Sequence, residues 1–380
     1  MSSSDLAERL VGAGRSLIDA AANSGWRGPD PYDGLLYPWP PLLRGGPRRR
    51  QVIVQLHARS PVDLRRLYRR REHARIAKAL ALFGEAALTL DAVEPDVEIR
   101  ERARWALTLL LEDRSAGEAW GYPFDVQTRW SFYPADSPNV VVTAFAGTAL
   151  ADASRTLTDK RFAERATEAA RWALTRAFNS ELGTFSYHEH SDTVIHNANL
   201  LGARLVWAQL RNDPAAAQAV RRAVERTLSA QAPDGTWPYG EGSGLEWNDS
   251  FHTGFVLGAL TELIDVDDAV RDAVARGTDA YAKLFFGVRG EAWLYPKQPF
   301  PEDAHAAGTG LSTLAKLSSL GLVDRALLAR VATRVVTDTV VDGHAVWRRG
   351  RFGSRRIPYI RWCDAHVACG VADAARVLVG

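Results

Sequence analysis

From residue 117 onward, a glycine followed two to four positions later by an aromatic residue recurs at nearly constant spacing. No other feature constrains the fold as much. The motif reads Gly117-Trp120-Tyr122, Gly183-Phe185-Tyr187, Gly235-Trp237-Tyr239 and Gly290-Trp293-Tyr295, with Gly343-Trp347 as a degenerate fifth copy. Successive glycines lie 66, 52, 55 and 53 residues apart. Each loop precedes a stretch rich in small residues, such as HNANLLGARLVWAQL or DAHAAGTGLSTLAKL, and arginine-laced stretches such as DPAAAQAVRRAVERTLSAQ lie between them. A period of roughly 55 residues holding two helices predicts stacked helical hairpins. Alanine and glycine permit close packing of inner helices, and the charged helices suit an outer, solvent-facing ring. HARIAKALALFGEAALTL followed by VEIRERARWALTLLLE supplies a sixth pair. The expected fold is therefore all-α, an (α/α)6 toroid of six helical hairpins, although an open solenoid would show the same pattern.

Ahead of the repeats, residues 1–25 read as one amphipathic helix, capped by Asp5 and ended by Gly25, with Leu6, Leu10, Val11, Leu17 and Ile18 on its apolar side. The next stretch, GWRGPDPYDGLLYPWPPLLRGGPRRR, is too rich in proline and glycine for a long helix, and Trp26, Tyr32, Tyr37 and Trp39 predict that it packs on the surface. A helical pattern returns from Val62 to Leu90. The expected division is 1–70 as N-terminal helix and aromatic segment packed on the toroid, and 71–380 as the toroid itself.

Forty-seven basic against 45 acidic residues give a formal charge of +2, which argues against a general polyanion binder, and no nucleic-acid module is recognisable. Two cysteines, Cys363 and Cys369, make no disulfide framework. The N-terminus lacks a secretory pattern, and no apolar run approaches the ~20 residues of a membrane span, so a cytoplasmic protein is expected. No cofactor is implied. Cys363, His366 and Cys369 cannot share one metal from a regular helix, since 363 and 369 point about 240° apart.

In a closed ring, the glycine–aromatic loops would lie at the N-terminal ends of the inner helices and form one mouth. The candidate substrate-binding residues there are Asp125, Arg129, Asn139, Asn197, Asn199, Glu241, Trp247, His305, Arg361 and Trp362, with Asp249, His252, Asp303, His196 and Tyr239 as candidate catalytic groups. Any single Asp or Asn among them is equally suited to capping a helix. Six of the nine histidines fall in or beside these loops, which capping does not explain. Trp120, Trp237 and Trp293 hold the repeat position and are expected to wedge hairpins together, whereas Trp247 is off-register and suits a ligand. The run RRGRFGSRR, with Lys297, Arg129 and Arg361, fits an acidic substrate or a solvated charge run.

Several stretches resemble one family: DPYDGL, SPVDLR, YPFDVQTRW, PNVVVTAF, IHNANLLGA, DGTWPYGEG, WNDSFHTGF and PYIRW. They are similar to the six-hairpin proteins associated with polysaccharide biosynthesis, the VpsJ type. The resemblance implies the toroid and a role in making or modifying a surface glycan. Gln231, Asp234, Gly235 and Trp237 more distantly resemble a turn of terpene cyclases and prenyltransferases.

The leading expectation is an enzyme acting on an acidic sugar or glycan by lyase- or epimerase-type proton abstraction. Asn197, Arg129 or His196 would neutralise the developing charge, and Tyr239 or His252 would take the proton. Hydrolysis would draw on Asp249 with Asp303 or Glu241. The same residues also admit a terpenoid cyclase using Asp303 as acid, or a non-catalytic glycan-binding protein.

Overall fold

The computed structural model describes all residues except 1–2, 38, 40–44, 61, 68–72, 129–130, 190 and 380. The helices are α1 (Ser3–Asn23), α2 (Pro47–Arg59), α3 (Ala77–Val93), α4 (Val97–Glu112), α5 (Val140–Thr156), α6 (Lys160–Trp172), α7 (His196–Leu210), α8 (Pro214–Ser229), α9 (Ser250–Glu262), α10 (Ala269–Phe285), α11 (Ala304–Ser319), α12 (Arg325–Asp338) and α13 (Ala365–Val379). The odd-numbered helices from α3 to α13 form the inner ring. Helices α4, α6, α8, α10 and α12 form the outer one.

The ring closes. Helix α13 packs directly on α3, and α1 fills the remaining outer place, against α13 and α3 and between α12 and α4. The toroid is thus an (α/α)6 barrel whose sixth outer helix comes from the opposite end of the chain. The apolar residues expected on one side of α1 are all buried, and Gly25, at φ 65°, ends it. Asp5 lies inside the first turn instead of preceding the helix.

The repeat follows from the glycines and the tryptophans. All five repeat glycines have positive φ, between 69° and 89°. At Gly235 and Gly290 an added Cβ would also meet the carbonyl oxygens of Arg276 and Arg330, at 2.5 and 2.3 Å, on the following outer helix. Only glycine meets both demands. The indole N–H of Trp120 donates to Leu110 O (3.2 Å), and that of Trp237 to Thr227 O (3.0 Å). In both cases the acceptor lies in the outer helix just before the loop. Trp120 and Trp237 are therefore buried wedges, while Trp293 is only half buried.

The N-terminal segment departs from the expected pattern between 47 and 76. Its helix is α2, started by Pro47 in the first turn, where a missing N–H costs nothing. Among the described residues between Val62 and Ile76, where a helix is expected, there is a short 3-10 turn, Leu64–Leu67, and α3 begins at Ala77. Arg65 explains this. Its side chain is drawn into a buried pair with Asp33 (2.6 Å) and also reaches Asp63 (3.0 Å). A second buried pair joins Asp30 to Arg361, with Nε and Nη2 at 2.6 and 2.8 Å from the carboxylate. The Ile360 N–H donates to Pro29 O (3.1 Å) in the same place. Three quoted motifs, DPYDGL, SPVDLR and PYIRW, thus meet in one clamp that fixes the segment across the mouth.

The basic run is largely structural. Residues 348–350 and 353–355 form a hairpin, and Arg348 lies opposite Asp303 in the strand register. The acidic run Asp265–Asp268 lies at the far rim, where Asp267 accepts from the Ala269 N–H (2.8 Å) at the start of α10.

Candidate active site

A cavity of about 1100 Å³ opens at the N-terminal ends of the inner helices. The second residue of five inner helices lines it: Lys78, Val141, Asn197, Phe251 and His305. The sixth place belongs to Arg361, second residue of the π turn Ile360–Asp364 that leads into α13. Gln51, Gln55 and Arg59, a stripe of i, i+4, i+8 on α2, form one side of the mouth. Tyr239, Glu241 and Trp247 come from the glycine-rich loop ahead of α9.

The most organised feature on the wall is a pair on the first turn of α9. Asp249 caps this helix: its Oδ1 accepts from the His252 backbone N–H (2.8 Å). Its Oδ2 lies 2.9 Å from the Nδ1 of the same residue's ring. A carboxylate there assigns the ring proton to Nδ1 and leaves Nε2 as the basic nitrogen available to a ligand. Tyr239 packs edge-on to this imidazole, with centroids 4.6 Å apart, and stacks on Trp247 at 4.4 Å. Burial pushes the Tyr239 phenol far above its ordinary value, so it stays protonated. A phenol held protonated does not take a proton, which runs against the expectation that Tyr239 acts as the base.

Below the dyad lies an aromatic and basic floor. Phe251 packs on His252 (4.2 Å) and on His305 (4.3 Å), and His305 stacks on His366 at 4.0 Å. Trp362 closes on His305 at 4.5 Å. Burial holds both floor imidazoles neutral, and the charges of Lys78 and Arg361 push the same way.

Several expected site residues are placed elsewhere or already engaged. Asn139 caps α5 through the Val142 N–H (2.9 Å) and does not line the cavity. Asn199 is spent on Phe185 N, Ala223 O and the Thr227 hydroxyl. His196 is fully buried, its Nδ1 facing Thr227 Oγ1 (3.3 Å), and burial lowers its pKa to about 4; it is a core residue and cannot neutralise a substrate. Asp125 accepts from the Ala135 N–H (2.8 Å) and ties its own loop. Asp303 caps α11 through the His305 N–H (2.9 Å) and is held by Arg348 (2.7 Å). It lies off the wall of the main cavity, so Asp303 itself presents there neither an acid for a cyclase nor a second hydrolytic carboxylate. Glu241 does line the cavity but is bound bidentately by Arg226. Arg361 lines the cavity with its charge already matched by Asp30. Arg129 lies outside the described residues.

Two contributors are not evident from the sequence. Asp30 is visible there only as part of DPYDGL, with its partner 331 positions away. Lys78 looks like an ordinary solvated lysine, yet it is one of only five lysines and is 3% exposed. Aligning the second positions of the inner helices would have found it.

No group of three or more metal-ligating side chains occurs among the described residues, and none of their helices is long and apolar enough to cross a membrane. No protein-family model matches the chain, and no curated protein matches it in sequence. Solved structures do match in fold. An unsaturated glucuronyl hydrolase specific for heparin superposes with TM-score 0.62 at 11% identity, over 97% of both chains. Cellobiose 2-epimerase from Bacillus thermoamylovorans B4167 gives 0.60 at 13%, over 79% of this chain and 87% of that one. A polysaccharide lyase gives 0.54 at 11%, over 79% and 89%. At such identities the likeness establishes the α/α toroid.

Proposed function

We propose that the protein is a carbohydrate-active enzyme that removes a proton from a sugar carbon next to a carbonyl or carboxylate group, the chemistry shared by epimerases and lyases. One observation carries this reading: the Asp249–His252 dyad, with Nε2 left to the cavity. When the imidazole takes the proton it becomes a cation, and the carboxylate 2.9 Å from Nδ1 stabilises that cation. The electrons of the broken C–H bond move onto the adjacent carbonyl or carboxylate oxygen. The amide of Asn197 lines the same wall and suits this developing negative charge. Tyr239 supplies the second proton. It goes to the departing oxygen across the next C–C bond in a lyase; an epimerase would draw its second proton from the face opposite His252, away from Tyr239. The Tyr239–Trp247 stack and Trp362 offer flat apolar faces for a sugar ring.

The fold is shared with an epimerase, a polysaccharide lyase and a glucuronyl hydrolase, which is compatible with a glycan substrate. Hydrolysis has less support, because Glu241 is paired with Arg226 and Asp303 with Arg348. The test is incubation with reducing disaccharides and with uronate oligosaccharides in deuterated water. Incorporation of deuterium next to the carbonyl or carboxylate, or an unsaturated ultraviolet-absorbing product, is expected. Cleavage to saturated sugars without any exchange would instead establish a hydrolase, and would overturn this reading.

A further inference from the structure

The sequence places positive charge at the rim of the mouth, yet Arg348 and Arg361 are each matched by a carboxylate. Apart from the exposed Arg59 at the rim, the cation without a carboxylate partner among the described lining residues lies at the floor. Lys78 is 3% exposed, and its Nζ sits 4.2 Å from the Phe145 ring centroid and 5.0 Å from that of Phe255. It lines the cavity, and among the described residues it makes neither a hydrogen bond nor an ion pair. The groups around it are the neutral imidazoles of His305 and His366, the Cys369 thiol, and the Asp30–Arg361 pair. Neither nitrogen of His305 has a hydrogen-bond partner in the described protein, and nor does His366 Nε2. The floor therefore holds three groups with unused bonding capacity, and the carboxylate of Asp30 beside them is already bound bidentately by Arg361.

A buried ammonium with no counter-ion is costly, and aromatic faces repay only part of that cost. We infer that Lys78 is the anchor of an anion subsite at the cavity floor, which takes the carboxylate of a uronic-acid-type sugar. That the anion belongs to a sugar rests on the function proposed above; that the subsite takes an anion rests on Lys78 alone. Charge balance selects a carboxylate. With Arg361 cancelled by Asp30, one monoanion neutralises the protonated lysine, whereas a phosphate dianion would leave a surplus negative charge in a desolvated place.

The subsite is also linked to protons. Burial pushes the Lys78 amine well below its ordinary value, and Arg361 adds to the push. An arriving carboxylate reverses that balance, so binding at alkaline pH draws a proton from solution. This uptake separates a true ion-pairing role from a merely structural lysine.

The experiment is calorimetric titration of the intact protein at pH 8, in two buffers of different ionisation enthalpy. The probes are a glucuronate-containing disaccharide and its neutral glucose counterpart. The uronate is expected to bind at least ten-fold more tightly, with a net proton uptake that the neutral sugar does not show. K78M is expected to bind both sugars alike with no proton uptake, and to melt no lower than the parent, since methionine fills the same apolar sleeve. Equal affinity for the two sugars, absence of binding by both, or a preference that survives in K78M would overturn the inference. Deuterium exchange on a neutral sugar, dependent on His252, would leave the proton-abstraction reading standing without it. Carboxylate selectivity without any exchange would do the reverse.

Discussion

The two ends of the toroid hollow are built from the same faces of the same helices, yet they treat polar groups in opposite ways. At the mouth, the second positions of three inner helices carry Lys78, Asn197 and His305, whose bonding capacity is partly unspent. At the far end, eight or twelve residues into each inner helix, stand Glu85, Asp152, Arg204, Glu262, Lys316 and Asp373. Steps of seven and eleven residues from the second position return to within about 20° of the same direction, so all these groups face the axis. The far ring is about 10–17 Å deeper. There most of the charges satisfy one another, Glu85 alone of the six making no ion pair among the described residues: Arg204 lies 3.2 Å from Glu262, which Lys316 also binds. Asp152 and Asp373 are held by Arg155 and Arg376. One end closes the barrel with paired charge. The other leaves donors and acceptors without a hydrogen-bond partner among the described residues.

If that contrast is right, damage at the mouth removes activity and spares the fold. H252Q is the largest case: proton exchange should fall by roughly 10²–10⁴-fold, with the melting temperature little changed. D249N should weaken exchange too, by less if His252 keeps its position through packing on Phe251. A variant that unfolds with the loss of activity would count against the contrast.

The clamp over the mouth tests the boundary between the two regimes. R65M leaves Asp33 buried and unpaired, and should cost about 3–5 kcal/mol in urea unfolding. An effect within a few tenths of a kcal/mol would show that the N-terminal segment adds nothing to the ring.

At the far end the sign should reverse, with stability changed and activity kept. Burial and the neighbouring Asp152 push Glu85 up to about 8. Folded protein then keeps a proton that the unfolded chain has released above its ordinary pKa of about 4.5. Stability therefore falls as pH rises from about 4.5 to about 8, and the penalty is full above that. E85Q mimics the protonated form. It should match the parent below pH 4.5 and exceed it at pH 8.5 by a few kcal/mol, on the order of the linkage per pKa unit. Glu262 runs the other way. Burial raises it, but Arg204 and Lys316 outweigh that and bring it down to about 2. Its contribution is present at neutral pH and is lost as pH falls from about 4.5 towards 2. Thermal melts across this range would check both signs.

The smallest effect should come from the loops. G235A adds a methyl group at φ 89° against Arg276 O, and should cost roughly 1–3 kcal/mol without altering exchange per folded molecule.

How much of this is legible in the sequence depends on whether a residue's role is local. Gly235 and Trp237 act within their own hairpin, so their spacing exposes the toroid directly. Helix α1 is legible as a helix but not as the sixth outer member, because its neighbours α12 and α13 lie at the other end of the sequence. In the site, Asp249 and His252 stand out because cap and ring pair are three residues apart. Asn139 and Asp303 cannot be told from catalytic groups, since capping and catalysis draw on the same side chains. Lys78 is hidden for a different reason: its meaning comes from what surrounds its ammonium, and Phe145, Phe255 and Arg361 arrive from three other inner elements.

The placement of α1 also orders events during synthesis. It is synthesised before α13, but the seat that covers Leu10, Leu17 and Ile18 is completed only by α13. Until then the greasy side of α1 has no home. The nascent chain must shield it, by chaperone or by temporary contacts, and the barrel locks only when the last helix meets the first.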